Sequence, residues 1–275
     1  MIGDEKAIKQ AFSLKGASGN LCCGCCKNVT SLRSDLARHD AESYLVSTAC
    51  VDVSRFDVHS DESFFEFVDY VRDQSAVLGV GAFEDLLKQV GMSWEPEGLV
   101  FDRSIRSRVP FISTVYYDWM HCLLQGGVAA IEVSMFLRKT LQCHPELTMD
   151  DINDFIEAWH VPAQWRRLPK RFLKESRFSK SPAYLKCYNS ELLVFLLILR
   201  RFVEMVLCPL DHEEMKPCIA SFCAVCDLVQ AFNRQRSADE LFEAVQTHHR
   251  LNLAAWGLAG VTVKWHLLYH IVPPG

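Results

Sequence analysis

The pattern of apolar residues changes near residue 120, and this change constrains the fold more than any other feature of the chain. From His121 almost to the end, apolar residues recur every three or four positions, which is the spacing of an amphipathic helix. Capping sequences that begin at Thr148 and Ser237 mark two helix starts. The pattern predicts helices over residues 121–142, 148–158, 183–207, 213–233 and 238–270. We therefore predict an α-helical domain over residues 121–275.

Residues 1–120 have a more mixed pattern. Apolar residues at helical spacing predict helix over residues 61–90, split in two near Gly79 and Gly81. Residues 111–117 are rich in β-branched and aromatic side chains, and they predict a strand that ends at Asp118. The expected fold class is mainly α, with a small α/β N-terminal part in residues 1–120.

The composition indicates a soluble intracellular protein. The chain has 275 residues, of which 49% are hydrophobic, as in an ordinary globular protein with a core. The net charge of −5 excludes nucleic-acid binding over the whole surface, so such contact would need a local basic patch. Three of the first six residues are charged, which argues against a secretory signal. The most apolar run, residues 192–199, is too short to cross a bilayer, so no membrane partner is expected.

Four of the 12 cysteines form two overlapping C-x-x-C pairs over residues 22–26. This spacing lets two thiolates bind one zinc ion in a tight turn, and zinc then needs two further ligands. We predict a zinc site formed by Cys23, Cys26, Cys50 and His39, with His59 as another nearby choice. A cysteine-rich loop without metal is the alternative. A redox pair is disfavoured because no βαβ pattern flanks these cysteines.

Two pairs of polar residues have the spacing of neighbours on a helix. Asp118 and His121 follow the predicted strand, and they could position active-site groups or metal-bound water, or Asp118 could cap a helix. His266 and His270 are four residues apart, which is a metal-chelating spacing, although packing histidines of an amphipathic helix are more common. A metal-dependent hydrolase that uses all four residues is a further alternative, and it requires them within about 5 Å of one another.

One segment is basic in an otherwise acidic chain. Residues 165–180 contain seven Lys and Arg residues against one Glu, with aromatic residues between them. Such a segment is typical of a surface that follows a phosphate backbone, and a solvated connector between helices is the alternative. The predicted DNA-binding residues are Arg166, Arg167, Lys170, Arg171, Lys174 and Arg177.

Several short motifs occur in a fixed order along the chain. They are Asp4 with Ala7, K-G-A-S-G at 15–19, C-x-x-C-K at 23–27, Y-D-W-M-H at 117–121 and K-x-H-x-x-x-H at 264–270. In this order the motifs resemble those of transposase-derived proteins of the CACTA (En/Spm-like) group. The resemblance covers almost the whole chain.

The resemblance implies a partial RNase H-like core and a large helical insertion over about residues 122 to 260. Such transposases cut and join DNA with two divalent metal ions held by three acidic residues. Asp4 would match the second acid, and Asp118 with His121 would match the acid-x-x-His signature after the next strand. The first acid is expected before Met1 and the final glutamate beyond Gly275.

The function expected from the resemblance is that of a fragment or relic of a cut-and-paste DNA transposase in the nucleus, inactive as this chain. Zn2+ would be structural, and Mg2+ would be bound only by an intact catalytic core. DNA is the expected partner, and self-association stays open. The alternative is a non-enzymatic α-helical interaction protein with a zinc knuckle.

Overall fold

Helices form most of the chain, and the strands are short. The structure is a computed structural model that describes residues 2–3, 5–32, 34, 36, 42–114, 116–162, 165, 167–180 and 183–272. In chain order, the strands and α-helices are β1 (Ile2–Gly3), α1 (Glu5–Ala11), β2 (Val29–Thr30), β3 (Val46–Ser47), α2 (Asp61–Val77), α3 (Val80–Gln89), α4 (Phe111–Thr114), β4 (Tyr116–Tyr117), α5 (Trp119–Leu123), α6 (Val128–Cys143), α7 (Met149–Ala158), α8 (Asn189–Phe202), α9 (Lys216–Asn233), α10 (Ala238–Trp256) and α11 (Val263–Ile271).

The chain divides into two compact units. Unit 1 comprises Met1–Asp118 and Val261–Ile271, and unit 2 comprises Trp119–Gly260 with Val272–Gly275. The division after Asp118 lies close to the change of pattern near residue 120. The other end differs from the predicted domain of residues 121–275, because α11 returns to unit 1.

Two small parallel sheets belong to unit 1. β1 pairs with β4, with Ile2 opposite Tyr116 and Gly3 opposite Tyr117, while β2 pairs with β3. The amide of Asp118 donates to the carbonyl of Gly3 at 3.0 Å and extends the first pairing by one residue. α11 packs against β4, so the end of the chain returns to this sheet.

The split of the predicted 61–90 helix is confirmed, and α2 and α3 lie on either side of it. A capping box starts α2: the Ser60 hydroxyl accepts from the Ser63 amide, and the Ser63 hydroxyl accepts from the Ser60 amide, each at 3.0 Å. α2 buries Phe64, Val68 and Val71, a spacing that places all three on one face.

The predicted strand over residues 111–117 is wrong in its first half, where the chain forms α4. Asp61 explains the difference. Its carboxylate accepts hydrogen bonds from the Ile112 amide at 2.5 Å and from the Ser113 hydroxyl at 2.6 Å. The first bond satisfies the Ile112 amide at the start of a helical turn after Pro110, and the two bonds together outweigh the β propensity of the side chains. Of the residues described in this segment, Tyr116 and Tyr117 form strand.

Gly91 ends the α3 region in a conformation that few other residues adopt. Its φ is +71°, and a Cβ atom there would lie 1.9 Å from the Leu21 carbonyl oxygen. Its own carbonyl accepts from the Lys15 amide at 2.7 Å, so this close approach joins the end of α3 to the K-G-A-S-G loop.

Replacing Gly91 with alanine is expected to lower the free energy of unfolding by at least about 2 kcal/mol, because left-handed strain adds to a backbone clash. Gly81→Ala is the matched control. An added Cβ at Gly81 meets no atom within 4 Å, and the position is helical, so stability should stay equal or rise. Denaturant unfolding of both variants measures the difference, and equal stabilities would contradict it.

Unit 2 is built from α5 to α10. α8 buries an apolar stripe within the 192–199 run, and Phe195 in that stripe packs against Phe172 with ring centroids 4.9 Å apart. Phe136 of α6 stacks on Phe222 of α9 at 4.5 Å. The predicted 238–270 helix is interrupted: α10 ends before Gly257, whose φ of +58° favours glycine, and α11 begins at Val263.

Two helical stretches, Trp119–Cys143 and Glu213–Asn233, are long and apolar enough to cross a membrane by length and composition. The sequence-based expectation considered only continuous apolar runs, whereas single polar residues leave the mean hydropathy of a long stretch high. The apolar windows of the two stretches are 72% and 50% buried inside the protein. Core helices of soluble proteins meet the same criteria, so the finding is a weak indication of a membrane span.

Candidate metal centre

The cysteine-rich loop of unit 1 is fixed by backbone hydrogen bonds on both sides. The Cys22 amide donates to the Val29 carbonyl at 3.1 Å. On the other side, the Lys27 amide donates to the Asp57 carbonyl at 2.8 Å, and the His59 amide donates to the Cys25 carbonyl at 2.9 Å. The loop therefore has a defined conformation in which Cys23 and Cys26 are both buried.

The other half of the site comes from α11. His266 and His270 lie one helical turn apart, so their rings project from the same face. Phe56 packs edge-on against the His266 ring, with ring centroids 4.7 Å apart. Burial of the neighbouring Trp265 and Leu268 anchors the helix in unit 1.

Cys23, Cys26, His266 and His270 come together as one group whose four ligand atoms all lie within 4.8 Å of one another. The Cys23 sulfur is 3.3 Å from His270 Nε2, and the Cys26 sulfur is 3.5 Å from His266 Nε2 and 3.3 Å from His270 Nε2. The two Nε2 atoms are 3.0 Å apart. The group could hold a metal ion such as zinc.

These separations suit tetrahedral coordination. Zinc bonds of about 2.3 Å to sulfur and about 2.0 to 2.1 Å to nitrogen give ligand–ligand distances of about 3.3 to 3.8 Å in a regular tetrahedron. The sulfur–nitrogen distances of 3.3 to 3.5 Å fall inside or at the edge of that range, and the nitrogen–nitrogen distance of 3.0 Å falls slightly short of it. Small side-chain rotations would accommodate an ion.

Burial and mutual proximity dominate the electrostatics of the group. Burial raises the pKa of the Cys23 thiol and lowers the pKa of His266 well below its ordinary value. Burial also opposes protonation of His270, but the nearby Cys23 and Cys25 sulfurs outweigh it and raise its pKa to about 9. The sulfurs thus favour a positive charge at their centre, which a metal cation supplies.

Cys23 and Cys26 lie in the group as predicted, but the structure does not bring Cys50 to it. The half-buried Cys50 thiol instead donates to the Asp52 carbonyl at 3.5 Å, two residues along the chain. The fourth predicted ligand, His39, lies outside the described residues. His266 and His270 complete the group in place of these two.

Of the residues predicted for catalysis, Asp118 and His121 do not belong to this group. Asp4 lies outside the described residues, although it follows β1 directly in the sequence. Asp118 follows β4 in unit 1, while His121 lies in α5 and so belongs to unit 2. The group pairs His266 and His270 with the two cysteines, and it includes neither Asp118 nor His121 of the alternative hydrolase site.

Acidic residues bind part of the basic segment in unit 2. Arg171 is 2.6 Å from Asp154 and also lies near Asp150 and Glu157 of α7, while Arg177 is 3.2 Å from the buried Glu191. Their charges therefore serve local structure. Arg166 lies outside the described residues. The other three predicted residues are exposed and form no ion pair within the described chain: Arg167, Lys170 and Lys174.

Comparison with known proteins finds no matching family model, no matching curated protein and no matching solved structure.

The metal group is the arrangement of described residues with the most specific chemistry. Two sequence signals pointed to it separately. The C-x-x-C pair lacked two ligands, and the H-x-x-x-H pair also lacked two, so each pair supplies what the other needs.

Proposed function

We propose that Cys23, Cys26, His266 and His270 bind one Zn2+ ion in a four-coordinate structural site. The observation that carries the proposal is the convergence of four ligand atoms from sequence positions up to 247 residues apart. Two thiolates and two imidazoles are a common ligand set for structural zinc. Sulfur ligands also disfavour Mg2+ and Ca2+, which prefer oxygen.

A structural role is favoured over a catalytic one by the number and burial of the ligands. Catalytic zinc typically keeps one position for water or substrate, whereas four protein ligands fill a tetrahedron. Cys23, Cys26 and His266 are all buried, which limits the approach of a substrate. The ion would join the loop near residue 25 to α11, and so would hold the two chain segments of unit 1 together.

Elemental analysis of the purified full chain, dialysed against a weak chelator, tests the zinc site. We expect about one zinc per wild-type chain, a loss of that zinc in Cys23→Ser/Cys26→Ser, and full retention in the matched control Cys50→Ser. Because the double variant could misfold, cobalt substitution of the wild type gives an independent result. Its visible spectrum should show tetrahedral coordination with thiolate ligands. Either of two results would overturn the proposal. One is a folded wild type that contains no zinc, and the other is a double variant that retains its zinc.

We also propose that the chain derives from a CACTA-like transposase, with unit 1 as part of an RNase H-like core, a nuclear location and no strand-transfer activity of its own. Two observations support this ancestry. The C-x-x-C and H-x-x-x-H motifs that carry the resemblance lie together in one group. The strand that precedes Asp118 pairs in parallel with residues 2–3, which come directly before the other family position in the sequence.

Translation of the genomic DNA on both sides of the reading frame tests the ancestry. An upstream strand that ends in Asp and a downstream helix that bears Glu would support it. Unrelated sequence on both sides would favour the runner-up, a non-enzymatic helical interaction protein with a zinc site. The zinc measurement does not depend on this result, because it concerns only the four ligands.

A DNA contact through Arg167, Lys170 and Lys174 is the third part of the proposal. These side chains are exposed and bear no ion pair within the described chain, so their charges are available to phosphates. Replacing all three with glutamine should flatten the dependence of log K on log salt by about 0.9 per lost phosphate contact.

Fluorescence anisotropy with a duplex at several salt concentrations measures that slope. The matched control replaces three exposed basic residues of the same unit with glutamine: Lys216, Arg234 and Arg236. The slope of this control should stay as in wild type. Equal slopes for the two triple variants would remove the basic segment from the proposed interface.

A further inference from the structure

Two histidines of unit 2 face each other near the surface, far along the chain from the Cys23 group. His144 ends α6, and His212 lies in the connection that precedes α9. Their rings meet edge to face, with centroids 5.1 Å apart and an interplanar angle of 69°. Different elements supply the two rings, so tertiary structure and not helical spacing brings them together.

Each ring has a buried nitrogen that lacks a hydrogen-bond partner within the described residues. These atoms are His144 Nε2 and His212 Nδ1. A buried polar atom without a partner costs about 1 to 3 kcal/mol, and such atoms in native proteins commonly indicate a bound water or ion. Both atoms belong to the same pair of contacting rings, which allows one shared ligand.

The other nitrogen of His144 is already oriented. Glu146 Oε1 lies 3.2 Å from His144 Nδ1, which fixes the proton on Nδ1 and leaves the Nε2 lone pair available. A carboxylate that accepts from the far nitrogen is the usual support of a metal-binding histidine. Glu146 is therefore a positioning residue for any metal bound at Nε2.

Two carboxylates, Glu146 and Glu214, lie near the pair. The side chains of Glu146 and Glu214 are 62% and 68% exposed, so negative charge faces the solvent beside the buried ring nitrogens. Lys139 is the nearby positive charge, and its ammonium is 2.9 Å from Glu214 Oε2, which balances it. Cys143 also contacts Glu214 Oε2 at 3.8 Å, which places a further donor close by.

We propose that His144 and His212 form a second, exchangeable site for a divalent transition metal ion such as Zn2+. His144 Nε2 and His212 Nδ1 are the ligands, and water or the Glu214 carboxylate completes the coordination sphere. The site differs from the Cys23 group, which brings four protein ligands within 4.8 Å, because it offers two. Affinity is thus lower, and the bound ion keeps open positions.

Calorimetric titration of Zn2+ into the full chain already loaded with one equivalent tests the second site. We expect a second equivalent with a Kd below about 1 mM. His212→Gln, a change at a partly exposed position, should weaken this binding at least tenfold, and Glu146→Gln should weaken it by about tenfold through lost orientation. His160→Gln, an exposed histidine of the same unit, is the matched control and should leave it unchanged.

Imidazole 15N NMR supplies a readout that does not depend on stability. Zinc should shift the His144 Nε2 and His212 Nδ1 resonances and leave those of His160 in place. The proposal is overturned if no second equivalent of zinc binds or if binding survives His212→Gln. It is also overturned if zinc leaves these two resonances unshifted, as expected when a water occupies the space. None of these outcomes bears on the Cys23 group, whose zinc content is measured separately by elemental analysis.

Discussion

Removal of zinc from the wild-type chain is expected to increase amide hydrogen exchange about 100-fold in unit 1, in the cysteine-rich loop and in α11. Exchange in α8 and α9 of unit 2 should change little. This expectation rests on the proposed zinc site. A ligand present at 100 times its Kd stabilises the state that binds it by about 2.7 kcal/mol, which corresponds to that factor in the opening equilibrium.

The physical reason is the separation of the ligands along the chain. Cys26 and His266 are 240 residues apart, and the segment Trp119–Gly260 of unit 2 lies between them in the sequence. The ion therefore closes a long loop of the chain. Without the ion, the buried thiols and imidazoles must be satisfied by protons alone, which costs free energy. A second cost comes from His266 Nδ1, which is buried without a hydrogen-bond partner within the described residues. Local opening of α11 relieves both costs.

Two variants make this measurement specific. Cys23→Ser/Cys26→Ser should show the fast-exchange pattern before any chelator is added, and chelation should then change nothing further. Cys50→Ser should behave as wild type, because its thiol lies outside the group. Faster exchange of equal size in both units would indicate global destabilisation and contradict a role confined to unit 1.

Most of the helical structure could be predicted because it depends on local patterns. The capping sequences at Thr148 and Ser237 form capping boxes, and the apolar stripe of α8 is buried. The errors arise where a tertiary contact decides local structure. Asp61, about 50 residues away, turns Phe111–Thr114 into a helix, and no pattern within residues 111–117 reveals that contact.

The metal group was found in halves for the same reason. C-x-x-C and H-x-x-x-H each have a spacing that is readable in the sequence, but their meeting depends on the return of α11 to unit 1. The sequence favours His39 and Cys50 as the remaining ligands, because proximity along the chain is the only distance a sequence contains. The complementarity of two incomplete ligand pairs was the signal that could have joined them.

One buried network in unit 2 was not anticipated, although the sequence contains a sign of it. Glu132 interrupts an apolar run in α6 and is only 1% exposed. Its carboxylate accepts from the Ser221 hydroxyl of α9, and from His248 Nε2 of α10 at 2.6 Å. Trp256 Nε1 lies 3.5 Å away as a further donor. A charged residue within an apolar helical stripe indicates such partners.

Glu132→Ala is expected to lower the free energy of unfolding of unit 2 by about 3 to 5 kcal/mol. The change removes the acceptor shared by Ser221 and His248, both fully buried, and leaves their donors without partners. Denaturant unfolding followed by hydrogen exchange in α6, α9 and α10 measures the loss. Glu243→Ala, at an exposed position of α10, is the control and should change stability by less than about 0.5 kcal/mol.

A double-variant cycle separates the free energy that the polar contacts of Glu132 contribute from the free energy of filling the space between the helices. Glu132→Leu/His248→Leu removes both partners and keeps most of the side-chain volume, so it should be less destabilising than the sum of the two single leucine changes. The reason is that an apolar pair leaves no buried charge and no unpaired imidazole from His248, whereas each single change leaves one. Strict additivity, or a cost below about 1 kcal/mol for Glu132→Ala, would show that Glu132 acts only by filling space between the three helices.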